Sequence, residues 1–489
     1  MRQRLRALVR REPSAEQRYA SFQAEVEPQL RAIPRVHRFA AVPVLGDAET
    51  PAQPIAAGAL TDTRAPWVAL ADSPLEPAAL ERLGQAATLA PDASVITCDD
   101  DVLATDGRRS DPRFHPGPSP DGLLTGDAPL AVLCVKREAA LAVLADIPDT
   151  PARRRELLLR LSGPDGAGHA HVPAVLAHRS ARPDTVVDGG ATARVLEAWG
   201  DQGARVDPSG RITRTVRGEP LVDIVVLFRD KPELLERCVR SVLSGTAWER
   251  LRLRLVDNGS SDPQMGELLR RVSGDERVVL TRDDRPFNFA ALNNAAIAGS
   301  DADFVVFLNN DTEVISPDWV QALLGDAQRP EVGAVAPLLL YPGGEVQHAG
   351  AAIGLHGYAG HPFAGLAPEA ATPFGKARAG TRNWLAVTAA CMMVERAKLA
   401  AVGGFDERFV VGGNDVDLCL RLTAAGHRSL CLTDVEMLHD ESRSRGTYVD
   451  PGDFARSEES YGAFRTIGDP FYNPNLTLTT TTCQPREKL

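Results

Sequence analysis

The second half of the chain alternates short apolar runs with segments of helical periodicity. The apolar runs predict strands at 221–228, 251–256, 278–280 and 304–308. Between them, apolar positions three and four residues apart predict helices at 232–243, 263–272, 290–298 and 317–324. Because this alternation is typical of a parallel sheet covered by helices, we expect an α/β fold from about residue 220 onward. The first half gives weaker signals, with predicted strands at 65–71 and 94–98 and a predicted helix at 191–199.

The strand predicted at 304–308 ends in short, oxygen-rich side chains. Asn309, Asn310, Asp311 and Glu313 follow it directly. Ligands of open α/β sheets bind at the carboxyl ends of such strands. A carboxylate held there is a suitable ligand for Mg²⁺ or Mn²⁺, hard cations that also bind the phosphates of a substrate. The pattern indicates a divalent-metal nucleotide site, with a simple turn in which Asp311 caps the next helix as the alternative.

Residues 341–382 form a long stretch that is rich in Gly, His and Pro. Loops of this length without regular structure are usually functional or disordered. His348, His356, Tyr358 and His361 favour a loop that faces the substrate, with chance surface placement as the alternative. After Tyr472 the chain is poor in core residues, so we expect the tail to be disordered or draped over the surface.

Bulk composition narrows the class of protein. The chain has 489 residues, and its net charge of −11 argues against a broad nucleic-acid surface. The seven cysteines are scattered without a CxxC pair, which favours a reducing compartment. No apolar run approaches the roughly 18 residues that span a bilayer. The basic start at 1–11 predicts a solvated helix or an amphipathic helix on anionic lipid. We expect a cytoplasmic protein, at most peripheral at the inner face of the cell membrane.

Seven motifs follow one another in the second half. They are VLFRDKP (226–232), VDNGSSD (256–262), PFNFAALNNA (286–295), LNNDTEV (308–314), GGFDE (403–407), NDVDLCLR (414–421) and HDESRSRG (439–446). In this order and spacing they resemble the family 2 glycosyltransferases, inverting enzymes of the GT-A fold. The branch they resemble builds O-antigen and cell-wall polysaccharides and includes many rhamnosyltransferases.

The resemblance implies a GT-A domain with a mostly parallel, Rossmann-like sheet at 220–470, followed by a tail at 471–489. It implies transfer of a sugar, with inversion, from a dTDP- or UDP-linked donor to a polysaccharide or lipid-linked glycan. The donor dTDP-rhamnose is one candidate, by family association alone. Other enzymes of polysaccharide assembly are further partners that the resemblance implies, whereas nucleic acid is not.

The resemblance also assigns a nucleotide-sugar site to eight residues. They are Phe228, Asp257, Asn258, Asn288, Asn293, Asn309, Asn310 and Asp311. Asp257 would accept a hydrogen bond from the ring N–H of uracil or thymine, with a plain turn residue as the alternative. Asn309 would touch the ribose or metal-bound waters, and Asp311 would bind the metal that bridges the diphosphate. His439 would be a second metal ligand or a phosphate contact, with a structural histidine as the alternative.

Asp415 matches the catalytic base of the family, the group that takes the proton of the attacking acceptor hydroxyl. Its alternative role is that of an acidic residue favoured by the helix dipole. Asp417, two residues on, faces away and is expected to support rather than react. The sequence departs from the family pattern twice: the usual Asp-x-Asp is reduced to Asn309-Asn310-Asp311, and the usual Glu-Asp is Asn414-Asp415.

Motifs in the first half resemble the later part of another GT-A domain. Among them are PWVALADSP (66–74) and VITCDDD (95–101). Where the family has its metal-binding Asp-x-Asp turn, this copy has Ala-Asp-Ser-Pro at 71–74. Arg-Arg-Arg-Glu at 153–156 stands in place of the catalytic Asp. We expect a degenerate, catalytically silent copy at 1–185, with a basic N-terminal helix, and a linker at 186–219.

Two other classes of function are weighed against the transferase. The chain could be a non-catalytic module that binds a glycan or holds a partner enzyme, although Asp257, Asp311 and Asp415 together argue against it. A Rossmann dehydrogenase is excluded because no GxGxxG follows a predicted strand.

Overall fold

The computed structural model describes residues 14–28, 44–45, 60, 64–126, 128–181, 188–208, 210–440 and 450–487. The predicted basic N-terminal helix lies outside the described residues. Two sheets, one in each half of the chain, organise the fold, and the α/β class expected from the sequence is confirmed.

The strands are numbered in chain order. They are β1 Val44–Leu45, β2 Trp67–Ala71, β3 Val95–Leu103, β4 Arg109–Arg113, β5 Val132–Lys136, β6 His169–Arg179, β7 Ala204–Val206, β8 Ile212–Arg214, β9 Val222–Phe228, β10 Leu251–Asp257, β11 Val278–Arg282, β12 Phe304–Asn309, β13 Thr312–Val314, β14 Val332–Leu340, β15 Val346–His348, β16 Ala352–Ile353, β17 Ala359–Gly360, β18 Arg382–Trp384, β19 Cys391–Glu395 and β20 Arg428–His439.

The α-helices are numbered in the same way. They are α1 Ala15–Ser21, α2 Ala79–Leu89, α3 Pro120–Thr125, α4 Arg137–Leu144, α5 Arg153–Ser162, α6 Gly189–Ala198, α7 Pro232–Gly245, α8 Pro263–Val272, α9 Phe289–Ile297, α10 Trp319–Ala327, α11 Arg396–Ala401, α12 Asn414–Ala424, α13 Pro451–Tyr461 and α14 Phe464–Ile467. A π-helical turn at Phe22–Val26 extends α1, and a 3₁₀ turn lies at Leu355–Gly357.

The large sheet has the order β11-β10-β9-β12-β19-β14-β20-β13, with β15 beside β14 and β18 beside β20. Strands β11, β10, β9 and β12 are all parallel, whereas β19 is antiparallel to its neighbours β12 and β14. Alternate side chains point to opposite faces, so Val225 and Phe307 enter one core and Val226 and Val306 the other. Both faces are therefore covered, which explains why the central strands are mostly apolar.

The smaller sheet repeats part of the path of the large one. Strands β1, β2, β5, β3 and β6 lie side by side in that order, as do β9, β12, β19, β14 and β20. The directions agree at every step: parallel, antiparallel, antiparallel, parallel. Helices α2, α4 and α5 occupy the same places in the chain order as α10, α11 and α12. In the described part of the first half, no strands extend this sheet as β10 and β11 extend the large one.

Buried polar contacts join the two halves. Asn383 on β18 accepts hydrogen bonds at Oδ1 from Ser119 Oγ (2.9 Å) and Asp121 N (3.0 Å) at the start of α3. The Asp121 carboxylate forms ion pairs with Arg329 at 2.7 Å and Arg428 at 3.2 Å. Burial raises the pKa of Asp121, but the two guanidinium groups outweigh it and hold that pKa well below its usual range. The first half is thus fixed against the sheet that carries the candidate site.

The expectation for the C-terminal tail is wrong for its described part. Asn473 donates from Nδ2 to Asp99 Oδ1 at 3.0 Å, and Asn475 Nδ2 donates to the Pro173 carbonyl at 2.8 Å. Leu476 and Cys483 are completely buried. The tail is held by a carboxylate and a strand of the first half, partners more than 300 residues away that the tail's own composition does not reveal.

Candidate active site

Three neighbouring parallel strands, β10, β9 and β12, end at the same edge of the large sheet. In the register of these strands, Asp257 at the end of β10 stands opposite Phe228 at the end of β9. Asn309 at the end of β12 stands opposite Leu227. The predicted nucleotide-site residues Phe228, Asp257 and Asn309 are therefore brought to the same edge, as expected for the carboxyl ends of neighbouring parallel strands.

Asp257 is 4% exposed and is held in one orientation. Its Oδ1 accepts from Ser260 N at 2.8 Å, and its Oδ2 accepts from Arg282 Nη1 at 2.9 Å. A carboxylate has about four acceptor positions, so each oxygen keeps one for a further donor. A fixed, buried carboxylate of this kind is suited to recognise one N–H group.

Asn258 lies beside it and carries an unused acceptor. Its Nδ2 donates to the carbonyls of Asp283 and Arg285, both at 2.8 Å, and its backbone N–H donates to Phe228 O at 2.9 Å. Its Oδ1 is buried and has no hydrogen-bond partner among the described residues. Since a buried unpaired carbonyl is costly, this atom indicates a position where a ligand donor is expected.

Asp230 is a site residue that the sequence analysis missed. It has a φ of 55°, and Lys231 beside it has a φ of 58°, both in the left-handed region that non-glycine residues rarely adopt. Its Oδ1 accepts from Ser261 N at 2.7 Å and Asp262 N at 2.8 Å, and the bonds from Asp262 and Ser261 lower the pKa of this carboxyl. The residue thereby ties the loop after β9 to the loop after β10. The sequence feature that could have identified it is the Asp-Lys-Pro at 230–232, where α7 begins.

The predicted metal-binding turn, residues 309–311, lies next to His439 because β13 pairs with β20. This pairing sets Thr312 opposite His439. Asn309 Nδ2 lies 3.2 Å from His439 Nε2, and the same Nε2 lies 3.4 Å from Asp311 Oδ1. Asp311 and His439 are 6% and 4% exposed, and Asn310 between the turn residues is also buried.

The donor atoms of Asp311 and His439 fit a divalent cation. Asp311 Oδ1 and His439 Nδ1 are buried and make no hydrogen bond within the part of the chain that the structure describes. No group of three or more His, Cys, Asp or Glu side chains that could hold a metal occurs among the described residues. Asp311 and His439 are the two candidate ligands, and a cation bound there would take its remaining ligands from substrate oxygens and water.

Asp415 is the second residue of α12, and its carboxylate is half-buried. Its Oδ1 accepts from the N–H of Val416 at 2.9 Å, and its Oδ2 accepts from Ala389 N at 3.2 Å. Asp417 turns elsewhere and accepts from Arg421 Nε and Ser460 Oγ, in keeping with the supporting role expected for it.

The segment 388–390 connects the base to the metal turn. Ala389 contacts Asp415, and the carbonyl of the next residue, Ala390, accepts from Asn309 N at 2.9 Å. The preceding residue, Thr388, donates from its N–H to His348 Nε2 at 3.5 Å. Three consecutive residues thus fix the positions of the candidate base, the metal turn and a histidine of the 341–382 stretch. None of the seven motifs includes this segment.

His348 is completely buried, so chance surface placement is the wrong interpretation for it. Its Nδ1 lies 2.7 Å from Nδ1 of His361, which is half-buried. Burial lowers the pKa of His348 well below its ordinary value, with the neighbouring His361 and His439 acting in the same direction. His348 is therefore a neutral member of the polar cluster around the site, whereas His356 is exposed.

Asp453 on α13 is a second residue that the sequence analysis missed. Its carboxylate accepts from three consecutive N–H groups, those of Val410 (2.7 Å), Val411 (2.8 Å) and Gly412 (2.8 Å). It is 1% exposed and supports the loop that leads into α12 and Asp415. No pattern in the sequence around 453 distinguishes it from an ordinary acidic residue in the first turn of a helix.

Asn288 and Asn293 have structural partners. Asn288 caps α9 by accepting from Ala291 N at 2.8 Å, and its Nδ2 donates to Glu407 O at 2.9 Å. Asn293 donates to Phe289 O at 2.9 Å within α9 and is 1% exposed. These contacts explain why the motif needs both residues for its fold, and their nucleotide role stays a prediction.

Among the described helices, none combines the length and the hydropathy that crossing a membrane requires.

Comparison with known proteins gives the chain its relatives. The family described as Glycosyl transferase family 2 matches residues 223–399. The chain is 40% identical over 435 residues to the O-antigen biosynthesis protein RfbC of Myxococcus xanthus, an alignment that covers 84% of this chain and 34% of that protein. It is 30% identical over 244 residues to the N-acetylglucosaminyl-diphospho-decaprenol L-rhamnosyltransferase of Mycobacterium tuberculosis, with 46% of this chain and 76% of that protein covered.

The chain spans about a third of the Myxococcus protein and about half of a Sinorhizobium fredii relative, y4gI, to which it is 34% identical. Among solved structures, GalNAc-T7 with UDP, GalNAc and Mn²⁺ has a TM-score of 0.39 at 15% identity, covering 50% of this chain and 48% of that one. A similarity this weak supports no inference about the ligands of this chain. The motifs, the sheet and the sequence relatives agree, and the chain belongs to glycosyl transferase family 2.

Proposed function

We propose that the second half of the chain is an inverting, metal-dependent glycosyltransferase that uses a dTDP- or UDP-sugar and a polysaccharide or lipid-linked glycan acceptor. One observation carries the proposal. The segment 388–390 holds Asp415 through the amide of Ala389 and holds the turn of Asp311 through the carbonyl of Ala390. The candidate base and the candidate diphosphate site are thus rigidly positioned with respect to each other, which a transfer reaction needs and a binding module does not.

The donor base is assigned to the pocket beside Asp257. Uracil and thymine both carry a ring N–H flanked by carbonyl oxygens, and a fixed carboxylate is a strong acceptor for that N–H. Asn258 Oδ1 adds a buried acceptor that has no described partner. Cytosine lacks the ring N–H, so the Asp257 carboxylate favours uracil and thymine over cytosine.

The donor diphosphate is assigned to Asp311 and His439, which would hold Mg²⁺ or Mn²⁺. When bound, the cation neutralises charge that develops on the departing nucleoside diphosphate. The pairing of β13 with β20 holds the two side chains in place before the donor arrives. No reorganisation is then needed at the moment of reaction.

Asp415 is assigned the role of general base. The acceptor oxygen forms a bond to the anomeric carbon while the bond from that carbon to the diphosphate oxygen breaks, and the hydroxyl proton passes to the Asp415 carboxylate. A single displacement of this kind inverts the anomeric centre. The amides of Val416 and Ala389 orient the carboxylate and leave each oxygen a position for the proton.

Rhamnose is the sugar that the relatives support. The Mycobacterium protein named above is an L-rhamnosyltransferase by name and shares 30% identity with this chain. The Myxococcus relative is named for O-antigen biosynthesis. These names support dTDP-rhamnose as the first donor to test.

The test compares Asp415→Asn with Asp311→Ala in the full chain. Asp415→Asn should abolish transfer and leave metal-dependent donor binding nearly intact, whereas Asp311→Ala should weaken donor binding and metal dependence together. Asp149→Asn, whose side chain is 61% exposed in the first half, is the matched control. Full turnover by both site variants would refute the assignment. Absence of metal-dependent stabilisation by any dTDP-, UDP- or GDP-sugar would favour the non-catalytic module.

For the first half, we infer a degenerate copy that binds no donor. Arg154 is the second residue of α5, as Asp415 is of α12. Its guanidinium donates to the carbonyls of Leu130 (2.7 Å), Ala131 (3.1 Å) and Leu70 (2.5 Å). Leu130 and Ala131 precede β5 as Ala389 and Ala390 precede β19, so a cation fills the place of the base. Calorimetry should find one donor site per chain, and a second site that survives Asp311→Ala would refute a silent first half.

A further inference from the structure

Two aromatic rings from distant segments meet beside the loop that carries Asp415. The centroids of Tyr358, just after the 3₁₀ turn, and Phe454, on α13, are 4.9 Å apart, with the ring planes tilted by 51°. Phe454 is 42% exposed and Tyr358 is half-buried. Single exposed apolar side chains are normal, but a pair of rings from two elements forms a composite surface.

A charged side chain borders the rings. The Arg465 guanidinium carbon lies 5.5 Å from the centroid of the Tyr358 ring, and Arg465 forms an ion pair with Glu458. The surface therefore combines apolar ring faces with hydrogen-bond donors and acceptors at its border. This combination matches a pyranose, which has an apolar C–H face and a rim of hydroxyl groups.

Helix α13 places the ring surface next to the candidate base. Phe454 and Tyr461 are seven residues apart and lie on one side of the helix. Tyr461 packs so closely against Gly413 that a β-carbon there would sit 3.1 Å from its hydroxyl. Burial raises the pKa of Tyr461 to about 12, and the nearby charges of Asp415 and Asp417 and the Tyr358 hydroxyl act in the same direction.

The neighbouring residue on α13 strengthens the link. Asp453, directly before Phe454, binds the three amides of the loop that leads into α12. One helix therefore both supports the base and presents the ring. A sugar on the rings would therefore lie next to the loop that carries Asp415.

We propose that Tyr358 and Phe454, with Arg465 at their border, form the acceptor subsite and bind a pyranose ring of the acceptor glycan by stacking. The inference rests on the proposed function, because it assigns the second substrate of the same site. It also assigns a specificity role to Tyr358 that depends on its ring rather than on its hydroxyl.

The test measures glycoside binding without turnover. Wild type, Phe454→Ala, Tyr358→Ala and Tyr358→Phe are titrated with octyl glycosides of N-acetylglucosamine, rhamnose, glucose, galactose and mannose, followed by saturation-transfer NMR. Both alanine variants should bind about tenfold more weakly, since one aromatic contact contributes on the order of that factor. Tyr358→Phe should stay within about twofold of wild type because the ring is kept. Leu89→Ala, at a residue 72% exposed on α2, is the control for loss of an exposed apolar side chain.

Metal-dependent stabilisation by dTDP-rhamnose and UDP-glucose is measured on the same samples, together with each variant's melting temperature. Unchanged donor stabilisation with weakened glycoside binding supports the subsite. Equal glycoside binding in all variants, or no binding of any glycoside by wild type, overturns it while leaving the donor result to decide the proposed function separately. Weaker binding of Phe454→Ala to phosphatidylglycerol vesicles with unchanged glycoside binding would make the rings a membrane contact and would also overturn it.

Discussion

The carboxylate of Asp311 and the imidazole of His439 lie 3.4 Å apart although 128 residues separate them in the chain, as their numbers show. The short strand β13 brings them together by pairing with the end of β20. Each keeps one buried polar atom without a hydrogen bond in the described structure. A ligand at this pair is expected to contact these unpaired atoms.

His439→Ala should weaken metal-dependent donor binding by at least about tenfold, because one of the two proposed metal ligands is lost. The measurement is a Mn²⁺ titration of donor-induced thermal stabilisation. His427→Ala is the matched control, since that imidazole lies at the protein surface and forms a hydrogen bond to the Pro330 carbonyl. A His439 variant with the Mn²⁺ dependence of wild type would make His439 structural.

Asp453→Asn should lower kcat by about one to two orders of magnitude and leave the KM for the donor within about twofold. An asparagine offers one acceptor oxygen and places an NH₂ against amides that donate, so the loop before Asp415 loses its fixed position. The free energy of unfolding should fall by about 1–3 kcal/mol.

Steady-state kinetics and urea unfolding check this prediction. Asp450→Ala removes a different contact of the same helix, the N-terminal cap on Gly452, and should cost stability with little effect on kcat. Equal losses of kcat in the two variants would mean that Asp453 acts through helix stability alone.

Arg154→Ala should destabilise the chain by about 2–4 kcal/mol and leave transfer per folded molecule unchanged. Burial lowers the pKa of the guanidinium, and its loss removes three hydrogen bonds to carbonyls near the end of β2 and just before β5. Arg205→Ala, which also removes bonds to two carbonyls but at an exposed site, should cost far less. A specific loss of donor binding in the Arg154 variant would contradict a silent first half.

The stability of the chain should depend on pH through Asp469. Burial raises the pKa of this carboxyl from its ordinary 3.8 to about 7, against the bonds from Ile353 N and Phe471 N that lower it. Between about pH 4 and pH 7 the unfolded chain has lost this proton while the folded chain keeps it, so raising the pH favours unfolding. The contribution is complete below pH 4 and is lost by about pH 7, and it amounts to at most about 4 kcal/mol.

Urea unfolding of wild type and Asp469→Asn at pH 4.5 and pH 8 checks the sign. The asparagine stays neutral, so the variant should gain stability relative to wild type as the pH rises. Parallel behaviour of the two proteins over this range would show that Asp469 titrates normally.

Much of the sheet and several site residues could be predicted from local sequence. Apolar runs located β9, β10 and β12 to within about a residue or two, because central parallel strands are buried on both faces. Asp257 and Asn309 directly follow two of those runs. Because parallel strands end together, the sequence predicted that both residues lie at one edge of the sheet. The NDVDLCLR motif placed Asp415 near a helix start, and in the structure it is the second residue of α12.

Contacts between distant segments decided the rest. Strands β14 and β20 pair in parallel with two shifts of register, a relationship that neither segment's pattern contains. Asp453 looks like any acidic residue near a helix start, and only folding brings its carboxylate to three amides more than 40 residues away.

Burial of the C-terminal tail also depends on a distant segment. Its asparagines are polar and predicted to be exposed, yet they are buried because Asp99 supplies a charged partner. The sequence determined which elements form and which chemical groups stand at their ends, because periodicity and strand termini are local properties. The tertiary structure decided which of those groups meet, because a hydrogen bond or a buried pair depends on a second residue whose position local sequence does not set.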